Sequence, residues 1–168
     1  MGVEQRPAIV EQRKRVGDWE ADTIIGKGHR QAIVTLVERM SRFTVLEKIE
    51  KRIAAATEEA IVRLLKPYRL HTLTITFDNG KEFSNHQQIA RQLEAEMYFA
   101  HPYASWERGT NENTNGLIRQ YIPKGCDFSE ITSDRIAFVK ERLNHRPRKC
   151  LDFQSSDMVF SQLDPGCT

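Results

Sequence analysis

The sequence is poor in the residues that build specialised architectures. Its three cysteines, Cys126, Cys150 and Cys167, are odd in number and far apart, and no Cys-x-x-Cys or His/Cys pair stands at zinc-ligand spacing. A disulfide scaffold and a zinc module are therefore poor readings, and a reducing cytoplasm is the expected compartment. Nine glycines and six prolines are too few for a collagen-like or low-complexity chain. Apolar runs are short against the roughly 20 residues needed to cross a bilayer. The opening MGVEQRPAIVEQRKR lacks the apolar stretch of a signal peptide, so neither membrane insertion nor secretion is expected. Charge of one sign is also lacking. The balance of 25 basic and 23 acidic residues leaves +2, so any nucleic-acid binding must come from local patches.

What is present is enough for one domain with a core: 168 residues, 39% hydrophobic and 29% charged. The polar stretch Glu4 to Arg15, with Pro7, reads as an extended arm or linker, which divides the chain into an arm over 1–16, a core over 17–163 and a tail over 164–168. WEADTIIG, from Trp19 to Gly26, predicts a first strand. Ala32–Glu38 and Phe43–Ile49 follow as two more, joined by a short connection, so an antiparallel meander is expected. Apolar positions over Ala54–Leu65 recur at helical spacing up to Pro67. Leu73–Phe77 alternates with period two and delivers Asp78 into an Asn79-Gly80 turn. A helix from Asn85 to about Glu96, a strand Met97–Ala100, a polar loop HPYASWERGTN, a helix Glu112–Tyr121 and a last helix Ser133–Asn144 complete the order. The pattern predicts an α/β fold with a mixed sheet, three antiparallel strands and then two parallel, flanked by helices.

Three acids sit where chemistry is often done: Asp22 inside the first strand, Asp78 at the end of the fourth, and Glu112 after the polar loop. Asp22 sits between Ala21 and Thr23 and before Ile24 and Ile25, in a segment expected to be covered, so its charge needs a cation nearby. If strands one and four are adjacent, Asp22 and Asp78 converge, and two like carboxylates held together call for a divalent metal. Oxygen ligands of this kind suit two Mg²⁺ or Mn²⁺ ions and phosphodiester chemistry. The plain alternative is three of 23 acids on solvated faces. Asn115 and Arg119 share the helix face of Glu112 and offer donors to phosphate, though an exposed polar face accounts for them equally. Trp106 and Arg108 in the loop have the chemistry to stack on a base and grip phosphate, while core packing explains Trp106 as well. Lys140, Arg142, Arg146, Arg148 and Lys149 outnumber Glu141, as a track for DNA or as a solvated helix end.

GDWEADTIIGKG, TLVERMSRF, TFDNGKEF, FAHPYASWERGTNENTNGLIRQYIPKG and LNHRPRKCL together resemble the bacterial DDE transposases of the IS-thirty type, whose catalytic core is similar to retroviral integrase and ribonuclease H. The resemblance spans nearly the whole chain and implies a ribonuclease-H-like fold. It carries the metal-ligand roles to Asp22 of WEAD, Asp78 of FDNG and Glu112 of NEN, with 33 residues between the last two. It implies metal-dependent cleavage of transposon inverted-repeat ends, then attack of the freed 3′-hydroxyl on target DNA with no covalent protein intermediate. Asn79, His101, Asn115, Arg119 and Lys124 lie in the matching motifs and are expected in supporting roles. A homo-oligomer that pairs DNA ends is the implied assembly. Family members generally carry an N-terminal helix-turn-helix region, which nothing before Gly17 resembles, so an isolated core is expected. Two other readings stay open: a ribonuclease-H-like nuclease, and a non-catalytic DNA-binding module of a decayed element.

Overall fold

The computed structural model describes residues 1–102 and 109–163. Alternation along the first strand organises the fold. Strand β1 (Asp18–Ile25) pairs antiparallel with β2 (Ala32–Glu38), which pairs antiparallel with β3 (Thr44–Ile49). On its other edge β1 takes β4 (Thr74–Phe77) in parallel, and β4 takes β5 (Glu96–Phe99). The sheet order is β3-β2-β1-β4-β5: the expected meander and two parallel strands reached through helices, with β4 beside β1, the adjacency that the sequence left conditional. Every residue of β2 is buried, which suits a central strand covered on both faces and explains its unbroken AIVTLVE.

Trp19, Ala21, Leu36, Val34, Ile75 and Phe77 line one face of the sheet. They are covered by helix α2 (Ala54–Leu65), by α3 (His86–Leu93) and by Phe160 of α6 (Ser156–Leu163). Phe43 stacks on Phe160 with ring centroids 4.4 Å apart, and the Trp19 indole donates to the His71 carbonyl at 2.9 Å. On the opposite face, Ile24, Ile33 and Leu46 pack against Ile118 of α4 (Gly109–Ile118) and against Ile136, Val139 and Leu143 of α5 (Ser133–His145). Thr132 caps α5 by accepting from the Arg135 N–H. The Asn144 amide exchanges two 2.8 Å bonds with the backbone of Thr44, closing that sheet edge as a paired strand would.

Four local expectations are corrected. The arm is not extended: it holds helix α1 (Ala8–Gln12) with Val10 buried, and Gly2 bridges Phe99 to lengthen the β5 edge. Helix α3 stops at Leu93 rather than near Glu96, because Glu94 turns left-handed (φ 54°) and Glu96 already pairs in β5. Helix α4 begins at Gly109 rather than Glu112 and ends at Ile118. Helix α6 is additional to the predicted order. Among the described residues no helix is long and apolar enough to cross a membrane.

Candidate active site

Even-numbered positions on β1 put Asp18, Glu20 and Asp22 on the face away from Trp19 and Ala21. The parallel register pairs Asp18 with Thr74 and Glu20 with Thr76; continued by two residues, it brings Asp22 level with Asp78. Adjacent strands lie about 4.8 Å apart, so that continued register would set Asp22, within β1, beside Asp78, the residue that follows β4. Asp78 Oδ1 accepts from the Gly80 N–H at 2.9 Å, which folds the chain back after β4. A Cβ on residue 80 would stand 2.8 Å from that same Oδ1 and 2.6 Å from Glu82 Oε2, so any side chain there would have to displace these two carboxylates.

Asp22 is half-buried. Its Oδ1 accepts from the Thr23 N–H at 2.8 Å and its Oδ2 from Asn115 Nδ2 at 2.9 Å, which ties β1 to α4. The Thr35 hydroxyl lies 3.2 Å from the side-chain oxygens of both Asn111 and Asn115. Asn111 Nδ2 is buried with no partner in this orientation; a half-turn of its isosteric amide would point the NH₂ at Thr35.

Beneath these groups lies a buried charged network that the sequence analysis did not single out. Glu20, wholly buried, accepts from Arg39 Nη1 at 2.9 Å and from the Asn111 N–H at 2.8 Å. It therefore satisfies a first-turn donor of α4 one residue before Glu112. Arg39 also donates to Glu11 of α1 at 3.1 Å, Arg6 contacts the same carboxylate, and Arg6 Nη1 donates to Thr76 at 2.8 Å. On the other side of the site, Glu82 Oε1 accepts from Thr23 Oγ1 at 2.8 Å and from Arg52 Nη2 at 2.7 Å. Burial pushes the Glu82 carboxyl upward, but the bonds from Arg52, its own backbone and Thr23 outweigh it, leaving the group below the ordinary glutamate range. Glu38 goes the opposite way: burial raises it despite bonds from Ser41, Met40 and Gly17. One signal for Glu20 was available, an acid at every second position from Asp18 to Asp22 on a strand whose flanks are apolar.

The remaining predicted residues divide. Glu112 is exposed on α4, because Asn111 and Asn115 take the sheet-facing side of the helix. Among the described residues no three His, Cys, Asp or Glu side chains are gathered to hold a metal ion. Asn79 Nδ2 donates to the Ala100 carbonyl at 2.7 Å and so joins the β4 turn to the end of β5. His101 is exposed, 3.3 Å from Glu4. Arg119 donates to the carbonyls of Ile25 and Pro123, each at 3.3 Å, and burial lowers its pKa. Lys124 is exposed in the turn after α4. Trp106 and Arg108 lie outside the described residues. Arg148 is turned inward rather than along a solvated tract, with 2.8 Å to Ser156 Oγ and 3.2 Å to the Leu143 carbonyl.

Residues 12–105, more than half of the chain, match the model of the integrase core domain. The chain belongs to that family. This integrase core is 48% identical over 161 residues to the transposase for insertion sequence element IS4351 of Bacteroides fragilis, covering 96% of this chain and 49% of the relative. It is 35% identical over 162 residues to transposase InsI for insertion sequence element IS30A of Escherichia coli (strain K12), covering 95% and 42%. It thus spans about half the length of the curated relatives it matches. Among solved structures, the catalytic core domain of BIV integrase superposes with a TM-score of 0.67 at 16% identity, over 88% of this chain and 95% of that one. The simian T-cell lymphotropic virus intasome in complex with PP2A regulatory subunit B56 gamma gives 0.70 at 15% identity, over 86% and 54%. The integrase core therefore has the ribonuclease-H-like fold of retroviral integrase catalytic cores.

Proposed function

We propose that the chain is the catalytic core of a DNA transposase, a metal-dependent polynucleotidyl transferase that cleaves transposon ends and joins the freed 3′-hydroxyl to target DNA. The observation that carries this reading is the parallel pairing of β1 with β4, whose register extended by two residues sets Asp22 beside Asp78, together with the bond that ties Asp22 to the helix bearing Glu112. The donor set fits a hard divalent cation: two carboxylates at one level repel unless a cation lies between them, and oxygen-only ligands suit Mg²⁺ or Mn²⁺. Asp22, Asp78 and Glu112 are the residues assigned to hold it. When bound, a pair of such ions supplies activation of the attacking oxygen and stabilisation of the leaving one.

The chain's own residues do the positioning. Asn115 fixes the orientation of the Asp22 carboxylate, and Glu20 anchors the first turn of α4 beside Glu112. Glu82 and Thr23 join the Asp78 turn to β1. Asn79, His101, Arg119 and Lys124, with Trp106 and Arg108, are assigned to the DNA side of the site. The relatives' descriptions as transposases support DNA as substrate, and the intasome likeness suits assembly of several copies on DNA in the cytoplasm. The test is strand cleavage and transfer on labelled transposon-end oligonucleotides with Mg²⁺ or Mn²⁺. Asp78→Asn is expected to reduce activity at least about a thousandfold, ~4 kcal/mol of barrier, with circular dichroism and melting unchanged. Activity equal to the parent chain would refute the assignment, and preferential cutting of RNA–DNA hybrids would transfer it to a nuclease.

A further inference from the structure

Three arginines from distant parts of the chain meet in one cavity of about 230 Å³ at the start of α4. Arg13 comes from the end of α1, Arg42 from the β2–β3 turn and Arg148 from the segment after α5; Gly109, Thr110 and Asn113 of α4 form the wall. Arg42 donates to the Thr110 hydroxyl, and Arg148 is spent on Ser156 and the Leu143 carbonyl. The Arg13 guanidinium makes no hydrogen bond or ion pair with any described residue. No described carboxylate pairs with any of the three. The nearby Glu20 is already committed to Arg39 and the Asn111 N–H.

Buried or half-buried guanidinium groups ordinarily bring a carboxylate with them. Among the described residues, three share this cavity without one. Burial first, and then the charge of Arg42, lower the proton affinity of Arg13; burial also lowers that of Arg148. The planar fork of arginine matches phosphate oxygens, and the helix N-terminus adds N–H groups and a favourable dipole.

We propose that this cavity seats a phosphodiester of the DNA backbone, held by Arg13 and Arg42 with Arg148 behind them, on the flank of α4 that Thr110 and Asn113 form. The inference rests on the reading of the chain as a DNA-processing core and adds a contact point to it. Successive helical residues are separated by roughly 100°, so Asn113 in the cavity wall and Glu112 are neighbours around the helix. A strand that crosses the start of α4 passes from one flank to the other within a helix diameter of about 10 Å.

The test is anisotropy of a labelled 20-mer duplex bound to this chain across roughly 50 to 200 mM salt. Arg13→Gln is chosen because that side chain makes no hydrogen bond or ion pair with any described residue. It is expected to weaken binding about tenfold at low salt and to lower the slope of log K against log salt by about 0.9, one phosphate. Arg13→Lys should keep the slope. The double variant Arg13→Gln/Arg42→Gln should lose no second increment, since both serve one phosphate. An unchanged slope in Arg13→Gln overturns the proposal while leaving DNA binding by the parent chain intact. Two full increments in the double variant overturn the shared seat. Stabilisation by inorganic phosphate that Arg13→Gln abolishes, without any change in DNA slope, assigns the cavity to a small anion and overturns the DNA source. The slope signature in a chain that shows no metal-dependent cleavage upholds the seat while the catalytic reading fails.

Discussion

Strand β1 has two faces that obey different rules. Trp19 and Ala21 are buried among Leu36, Ile75, Phe77 and Phe160, where area removed from water does the stabilising. Glu20, one residue away and equally buried, is charged, and it survives there because Arg39 and the Asn111 N–H meet both of its oxygens. The apolar face holds the domain together without regard to what lies at the strand ends. The charged face fixes where α4 begins, and α4 carries Asn115 and Glu112. Burial is therefore no guide to role on this strand; the chemistry of the partner is.

The contrast breaks most visibly in a pair of truncations. Trp19→Ala should cost about 3–5 kcal/mol through cavity formation, and Glu20→Ala roughly 1.5–3 kcal/mol by removing the buried charged bonds to Arg39 and the Asn111 N–H. Urea denaturation measures both. They separate in strand-transfer activity per folded molecule, which Trp19→Ala should retain and Glu20→Ala should lose. Replacing the pair together, Glu20→Leu with Arg39→Met, should recover most of the stability. It should not recover activity, because the first turn of α4 still lacks its anchor. Recovery of both would reduce the ion pair to a purely structural part.

The same two faces explain what was legible from the sequence. Strands β1 to β5 and helix α2 follow from periodicity and turn residues, which are local, whereas the adjacency of β1 and β4, on which the expected approach of Asp22 to Asp78 depends, is set by the sheet as a whole. The start of α4 is different. Gly109 and Thr110 are weak helix formers, and what begins the helix there is non-local: Glu20 on the Asn111 N–H and Arg42 on Thr110. Helix α6 depends on Phe160 stacking against Phe43, and the inward turn of Arg148 depends on Ser156 and Leu143. None of these pairs leaves a local mark. Whether Glu112 faces Asp22 and Asp78 is likewise a matter of how α4 is rotated, and spacing alone carries no information on that.

A smaller effect sharpens the charged side by its pH dependence. Because Glu82 sits below the ordinary glutamate value of 4.5, the folded state prefers its carboxylate. The contribution is complete above that value and drains away as pH falls through the lowered one. Glu82→Gln should cost roughly 1.5–3 kcal/mol at neutral pH, the worth of its charged hydrogen bonds. The gap between variant and parent should close as denaturation is repeated at increasingly acid pH. A gap that stays constant would mean that packing, and not charge, is what Glu82 provides. Glu38, raised by burial, shifts the background in the opposite sense, and comparing parent with variant cancels it.

The smallest effect on stability belongs to Asn115, and it discriminates most finely between holding the helix and holding the carboxylate. Asn115→Ala removes one half-buried bond to Asp22, worth about 1 kcal/mol. If that bond only docks α4, the loss ends there. If it orients the Asp22 carboxylate, affinity for Mn²⁺, followed as the rise in melting temperature with added metal, should fall about tenfold, as outer partners of metal ligands commonly do. Gln120→Ala, exposed just beyond the same helix, controls for general weakening of α4. Equal Mn²⁺ affinity in Asn115→Ala and the parent chain would place Asn115 with the packing residues of β1's apolar side in role, though not in position.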